Sequence, residues 1–344
     1  MESPGAVLVL ASRRRALTGS SRDLSRGYSN GSLIRVRAGA YFGKAAWLAL
    51  KPWERYSTTV AAVAAAEPAV IFCYLTALRI WRLPLPGVPH HIHVITHSPH
   101  RAGRLASTTR AAPDARTGLT GLEKVRGYGI NRHHWTVETV QRNGFAVTSL
   151  VQTVLDCIVR LELPEAVAVV DAVMGRGRRE GEGLTRPELR DASARLPSAA
   201  KRRRVLEVLA LADGESESVG ESRSRALIHV AGLPAPVLQH SFYDSDGFIA
   251  RTDFFWPELG VIGEFDGDAK YLDNALLAGR TTREVILAEK KREDRLRALG
   301  YTVVRWDWKA LADPELLRRK LAAAGVTAQK SPPGGLFPAA LRGE

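Results

Sequence analysis

The most regular alternation of apolar and polar positions lies in the last third of the chain. There an acidic, serine-rich stretch, ADGESES, leads into VGESRSRALIHV and closes on Gly232 and Pro234. That is the pattern of a capped helix with a defined stop. Three apolar runs follow at residues 236–243, 249–256 and 260–266 and predict strands. A helical pattern then spans 281–299, Gly300 ends it, and residues 301–306 predict a last strand. Helix, three strands, helix, strand makes an α/β unit of ordinary domain size.

The earlier regions are less periodic. Residues 7–17 predict one helix and 23–28 a second, which Ser20 or Ser21 would cap. SNGSLIRVRAGAYF then predicts a hairpin, with one strand at residues 33–37 and another around Tyr41 and Phe42. In the middle, helices are expected at 60–81, 149–161, 164–174 and after Thr185, and strands at 91–96, 123–127 and 134–140. Residues 98–120, rich in Arg, Thr, Gly and Ala, predict a long exposed loop. GRGRREGEG from Gly175 lacks the Lys-Ser/Thr of a phosphate-binding loop and follows no strand, so it is expected to be a linker. The organisation expected is an α/β multi-domain protein. It has a small module at 1–55, a mixed α/β region at 56–211, an α/β domain at 212–312, and a helix with a flexible tail at 313–344.

Composition adds a partner. The chain has 344 residues, 45% of them hydrophobic and 25% charged, which describes a globular protein of two or three domains. Its formal net charge is +13. That excess points to a polyanion, and nucleic acid is the commonest. Residues 1–55 hold ten basic against three acidic side chains, a net of +7. A membrane surface would need an amphipathic basic helix or a lipid anchor, and neither is found. The apolar run 60–83 contains Glu67, Pro68, Arg79 and Arg82, which excludes a membrane span. GAVLVLA is too short for a signal-peptide core. Cys73 and Cys157 both lie in apolar helical patterns, as buried free thiols would. A cytoplasmic protein is expected.

Candidate chemistry concentrates in RTDFFWPELGVIGEFDGDAKY. Pro257 and Gly260 bracket a turn centred between Glu258 and Leu259, which sets Asp253 directly opposite Glu264. Opposed Cβ atoms in antiparallel strands sit roughly 4.5–5.5 Å apart, and like charges there are destabilising. Asp266, two residues beyond Glu264, shares its face. A divalent cation such as Mg²⁺ would reconcile the three acids. Pairing with arginines such as Arg251 would reconcile them too, and a one-residue slip of register would part them.

Glu221 in ESRSR, Asp253 and the run Glu264-Phe265-Asp266-Gly267 resemble the PD-(D/E)XK nuclease superfamily. More narrowly they resemble its very-short-patch-repair endonuclease-like branch. EKKREDRLRALGYTVVRW is similar to that branch as well, and the resemblance covers residues 216–308. It implies a restriction-endonuclease-like α/β fold in which Asp253 and Glu264 ligate Mg²⁺ beside Asp266. Glu221 would reach in as a further ligand or water-orienting acid, and the reaction would be hydrolysis of a DNA phosphodiester. The superfamily's lysine two residues after Glu264 is Asp266 here. A lysine would then come from Lys270 or from the next helix, where Lys290, Asp294 and Arg297 share one face.

At the other end, GSLIRVRAGAYF after two short helices resembles the wing of the winged helix-turn-helix in AbiEi-type antitoxins, where a basic wing ends in Gly-x-Tyr. The resemblance implies double-stranded DNA as a partner and a cognate toxin as a possible second one. VTSLVQTVLDCIVRL and VVDAVM are similar to the body of that antitoxin group. Arg22 and Arg26, one turn apart, suit phosphate or guanine contact in a major groove. Arg35 and Arg37 alternate along the wing strand and would meet phosphates. His90, His91, His93, His97 and His100, with His133 and His134 downstream, match no closed four-ligand spacing and are expected to be strand and loop residues. Two functions stay open: a Mg²⁺-dependent endonuclease targeted by its own winged helix, and an antitoxin-like transcriptional repressor whose nuclease fold is inactive.

Overall fold

A computed structural model describes residues 8–84, 87–112, 125, 127–135, 137–267 and 282–328. The chain is a mixed α/β protein that divides into two compact units, Met1–Val159 and Arg160–Glu344. Among the described residues no helix is long and apolar enough to cross a membrane.

The first unit runs β1 (Val9–Leu10), α1 (Ala11–Thr18), α2 (Arg22–Ser29), β2 (Leu33–Arg37), β3 (Ala40–Gly43), α3 (Lys44–Ala49) and α4 (Pro52–Ala66). It continues with β4 (Ile71–Phe72), α5 (Tyr74–Ile80), β5 (His91–Ile95), β6 (Gly103–Leu105) and β7 (Arg110–Ala111). The last elements are β8 (Gly129–His133), β9 (Thr139–Arg142), β10 (Phe145–Thr148) and α6 (Leu150–Ile158). One sheet has the order β1-β3-β2-β7 and the other β6-β8-β5-β4-β10-β9. Along β2, Ile34 and Val36 are buried against Phe42, Trp47 and Ala62 while Arg35 and Arg37 take the other face. This is the period-two pattern of a half-buried strand.

Three expectations change here. The first helix starts only at Ala11, because Val9 and Leu10 pair with Tyr41 and Ala40 as a strand. The apolar run 60–81 is not one helix. Pro68 disfavours helical backbone at Glu67, so α4 ends at Ala66 and the chain crosses through β4 before α5 begins. The strand expected at 134–140 is replaced by β8 before it and β9 across its end. The exposed stretch 98–120 carries β6 and β7 in its described part, and most of the strand expected at 123–127 lies outside the described residues.

The second unit opens with α7 (Leu163–Glu180), α8 (Arg186–Ser193), α9 (Ala199–Leu211) and α10 (Val219–Val230). Then come β11 (Val237–Asp244), β12 (Gly247–Trp256), β13 (Val261–Phe265), α11 (Thr282–Ala298), β14 (Thr302–Trp306), α12 (Trp308–Ala312) and α13 (Pro314–Ala323). The supposed linker from Gly175 is the end of α7. Its glycines serve close packing: a Cβ on Gly183 would stand 2.2 Å from both the Gly177 nitrogen and the Val173 oxygen. Helix α10 is held to α7 by Arg223 on Glu165 at 3.1 Å and by the buried pair Arg225–Asp171.

The sheet order is β11-β12-β13-β14, antiparallel except for the parallel pair β13–β14. Both faces are covered. Phe254, Trp256, Val261, Phe265 and Trp306 pack with Leu227 and Ile228 of α10 and with Leu317 and Leu321 of α13. Phe242, Phe255 and Ile262 pack with Leu296 of α11. Burying a leucine contributes about 1.5–3 kcal/mol, and α13, in the stretch expected to carry a C-terminal helix, packs on the sheet through Leu317 and Leu321. The residues after Ala328 lie outside the described part.

Candidate functional site

The acidic site is set by the β12–β13 hairpin. Pro257 opens a single 3-10 turn, and Gly260 leaves it with φ 59°, a backbone angle that glycine adopts without strain. Beyond it Trp256 pairs with Val261, Phe255 with Ile262 and Phe254 with Gly263. Continued by one residue, that register sets Asp253 opposite Glu264. Gly263 has a reason of its own: a Cβ there would meet the Trp306 ring at 2.6 Å. Side chains alternate along each strand, and Phe255 and Ile262 face α11. Asp253 and Glu264 therefore face α11 as well. On the neighbouring strand the partner of Glu264 is Arg305.

Glu264 is buried, and its oxygens are occupied by guanidinium groups. Oε1 and Oε2 each accept from Arg292 Nη2 at 3.0 Å, and Oε2 also lies 2.6 Å from Arg305 Nη2. Arg305 reaches three more carboxylates: Asp266 at 3.0 Å and Glu289 at 2.6 Å through Nη1, and Glu293 at 3.2 Å through Nε. Asp253 Oδ2 accepts the Phe265 backbone N–H at 2.9 Å. Burial raises the Glu264 pKa, Arg292 and Arg305 pull it back, and the charges of Asp253 and Asp266 push it up again. Burial opposes the charge of Arg305, but Glu264, Asp266 and Glu289 outweigh it and its pKa is raised.

The remaining acid stands at the start of α10, next to Gly220, which packs against the Phe265 ring. Glu221 stands in the first turn of α10, where its N–H donates to Ser218 Oγ at 3.1 Å. Its Oε2 accepts from the Glu217 N–H at 2.9 Å and from Gln239 Nε2 at 3.0 Å. The contacts with Ser218 and Glu217 belong to the helix start, whereas the one with Gln239 ties Glu221 to β11 between the pairs Leu238–Phe254 and His240–Thr252. Lys290 is exposed and shares its outward side of α11 with Asp294 and Arg297. The side of α11 turned to the sheet carries Glu289, Arg292, Glu293 and Leu296. Lys270 lies outside the described residues.

Mg²⁺ demands near-octahedral oxygen ligands and keeps several waters. Among the described residues no group of three or more His, Cys, Asp or Glu is arranged to hold a metal ion. The carboxylate lone pairs that would face a cation at Glu264 face two arginines. The residues present therefore do not fit the ion. Arg292, Arg305, Glu289 and Glu293 all lie in the run EKKREDRLRALGYTVVRW, but the sequence assigned none of them to the site. The spacing of Glu289, Arg292, Glu293 and Leu296, at i, i+3, i+4 and i+7, is nevertheless that of a single helix face.

At the N-terminal end, α2 buries Leu24 and Gly27 and exposes Arg22, Ser25, Arg26 and Ser29. A Cβ on Gly27 would stand 2.8 Å from Leu33 Cδ1, so the glycine lets the helix lie on β2. Arg14 is paired with Asp23 at 2.7 Å. The four expected DNA contacts divide. Arg22 and Arg26 point to solvent, whereas Arg35 lies over the Tyr28 ring, 5.2 Å from its centroid. Arg37 is turned inward, 16% exposed, with Glu67 at 3.5 Å. Burial lowers its pKa and Glu67 partly restores it. Arg37 is thus committed within the unit rather than offered to phosphate. Among the histidines, His93 Nδ1 and His133 Nε2 form a hydrogen bond at 2.9 Å with the Tyr74 ring edge-on to His93. That is the strand role expected of them.

No family model matches the chain. It is similar to uncharacterized proteins from two strains of Mycobacterium tuberculosis, at 28% identity over 177 residues in each case. The similarity covers 51% of this chain and 60% of each relative, so the chain spans less than two thirds of the proteins it matches.

Proposed function

We propose that the chain is a DNA-binding regulator: its N-terminal module grips duplex DNA as a winged helix-turn-helix, and its C-terminal domain is a restriction-endonuclease-like fold that does not cut. The order strand, helix, turn, helix, hairpin in β1 to β3 supports the first part. So does the outward stripe Arg22, Ser25, Arg26, Ser29, on a module whose sequence carries a net +7. Two arginines one turn apart with small polar neighbours suit a groove in which phosphates and guanine edges are the acceptors.

The helix, three strands, helix, strand order of α10 to β14 is compatible with the α/β fold that the PD-(D/E)XK resemblance implies. What favours binding over cutting is Glu264, whose two oxygens accept from Arg292 while Arg305 adds a third contact. An endonuclease would need those oxygens for Mg²⁺. The antitoxin-like sequence adds a cognate toxin protein as a second partner.

The test is a gel-shift and cleavage assay on the full chain with duplex fragments, with and without Mg²⁺ or Mn²⁺. The expected result is salt-dependent binding without metal and intact DNA with it. Metal-dependent cleavage that Asp253→Ala or Glu264→Ala abolishes would establish the endonuclease instead. No retention of any duplex at low salt would remove the DNA reading altogether.

A further inference from the structure

We infer that Arg305, assisted by Arg292, is a built-in substitute for the divalent cation, so that the oxygens of Glu264 at the centre of the acidic cluster are satisfied internally and closed to metal. This rests on the non-cutting reading above and deepens it, by naming the residues that keep the domain silent.

Position is the first argument. Arg305 is not a surface side chain that happens to fold over. It sits in β14 in direct register with Glu264 of β13, so the same pairing that builds the sheet delivers a guanidinium to the carboxylate. The second argument is saturation. All three of its side-chain nitrogens are used: Nη2 on Glu264, Nη1 on Asp266 and Glu289, and Nε on Glu293. One cationic group thus meets four carboxylates from β13, the residue after it and α11, the task a metal ion would perform among them.

Chemistry is the third argument. A guanidinium is planar, stays charged at any physiological pH and presents its donors in a fixed fork. It therefore occupies the lone pairs of several carboxylates together and, unlike a buried lysine, does not lose its charge by titration. Arg292 closes the other side. It donates to both oxygens of Glu264 while its own Nε is buried without a hydrogen-bond partner. Leaving a buried donor unsatisfied costs about 1–3 kcal/mol, and the side chain is held on the carboxylate in spite of that. Without these two cations, the carboxylates of Asp253, Glu264 and Asp266 would repel one another at close range.

The experiment uses the full chain and Mn²⁺ as the probe, read by loss of the free-ion paramagnetic signal and by the melting temperature. Wild type is expected to take up no stoichiometric Mn²⁺ and to melt at the same temperature with or without it. Arg305→Met, which keeps length and removes charge, is expected to gain about one Mn²⁺ per chain, and Glu264→Gln on that background to lose it again. At saturating ion the melting temperature of Arg305→Met should rise by roughly 5 °C or more. If this variant folds only with metal present, its Mn²⁺-dependent melting reports the same gain.

Two outcomes overturn the inference: Glu264-dependent Mn²⁺ uptake by wild type, or an Arg305→Met protein whose signal and melting both ignore Mn²⁺. Gel shifts run in chelator test the DNA reading separately, so the failure of one is not mistaken for the failure of the other.

Discussion

The two ends of this protein use the same residue type in opposite ways. In α2, Leu24 and Gly27 take the inner side and Arg22 and Arg26 are left outside. In α11, Leu296 and Arg292 share the inner side, and the arginine is spent on a buried carboxylate. Both helices carry basic residues, but α2 leaves both of its arginines exposed while α11 turns Arg292 to the sheet. A net charge therefore reports how many cations a chain holds and not how many are available. Availability is decided by which side of each helix the apolar residues claim.

The sharpest way to break this comparison is to remove the carboxylate on which the inward arginines depend. Glu264→Ala leaves Arg292 and Arg305 partly buried beside one another without their shared partner. Breaking a buried ion pair by deleting one member costs about 3–5 kcal/mol, and that loss is expected in a urea titration of the full chain. Glu264→Gln, which keeps volume and two acceptor or donor sites, should cost less. A cost below about 1 kcal/mol, the level of an exposed pair, would mean that water already screens the cluster and that the inward arginines are as free as the outward ones.

The next effect belongs to the other end. Arg22→Gln with Arg26→Gln is expected to weaken duplex binding roughly ten- to hundredfold, at about 1 kcal/mol or somewhat more for each contact. The slope of log affinity against log salt should become shallower by about two, one for each phosphate contact removed. The urea midpoint should not move, because both side chains are exposed and neither is bonded to a described residue. Unchanged affinity with unchanged stability would place the DNA surface elsewhere on the molecule.

Much of the C-terminal fold was legible because each strand there is bounded by residues with a fixed backbone preference. Pro257 and Gly260 define one turn and Gly300 another, so the β12–β13 register followed from counting outward. The long apolar stretch in the first unit was less legible: alanine and valine at 60–66 suit helix, and only Pro68 marks where helix must stop. The site divides in the same way. That Asp253 and Glu264 oppose each other is a local fact of one hairpin. That Arg292 caps Glu264 from 28 positions away is a fact of how α11 lies on the sheet, which no local pattern encodes. Glu221 shows the converse. ESES before VGES carries a plain helix-start signal, with Ser218 three residues before Glu221, and the structure uses Glu221 in that capacity.

The smallest expected effect is also the most discriminating, because it falls on a residue that sequence alternation placed with the outward arginines. Arg37 shares Glu67 with Arg132, which stands 3.3 Å from the same oxygen. Arg37→Gln therefore leaves the carboxylate a cation, and the loss of stability should be about 1 kcal/mol or less. Its effect on duplex binding should be within about twofold, since a contact that carries no phosphate carries little of the electrostatic affinity. Measured beside Arg26→Gln at one salt concentration, the pair sets an ion-paired, mostly buried guanidinium against an exposed one. Equal losses of affinity would put Arg37 among the phosphate contacts, and the distinction between inward and outward arginines would then fail at the strand where it is easiest to see.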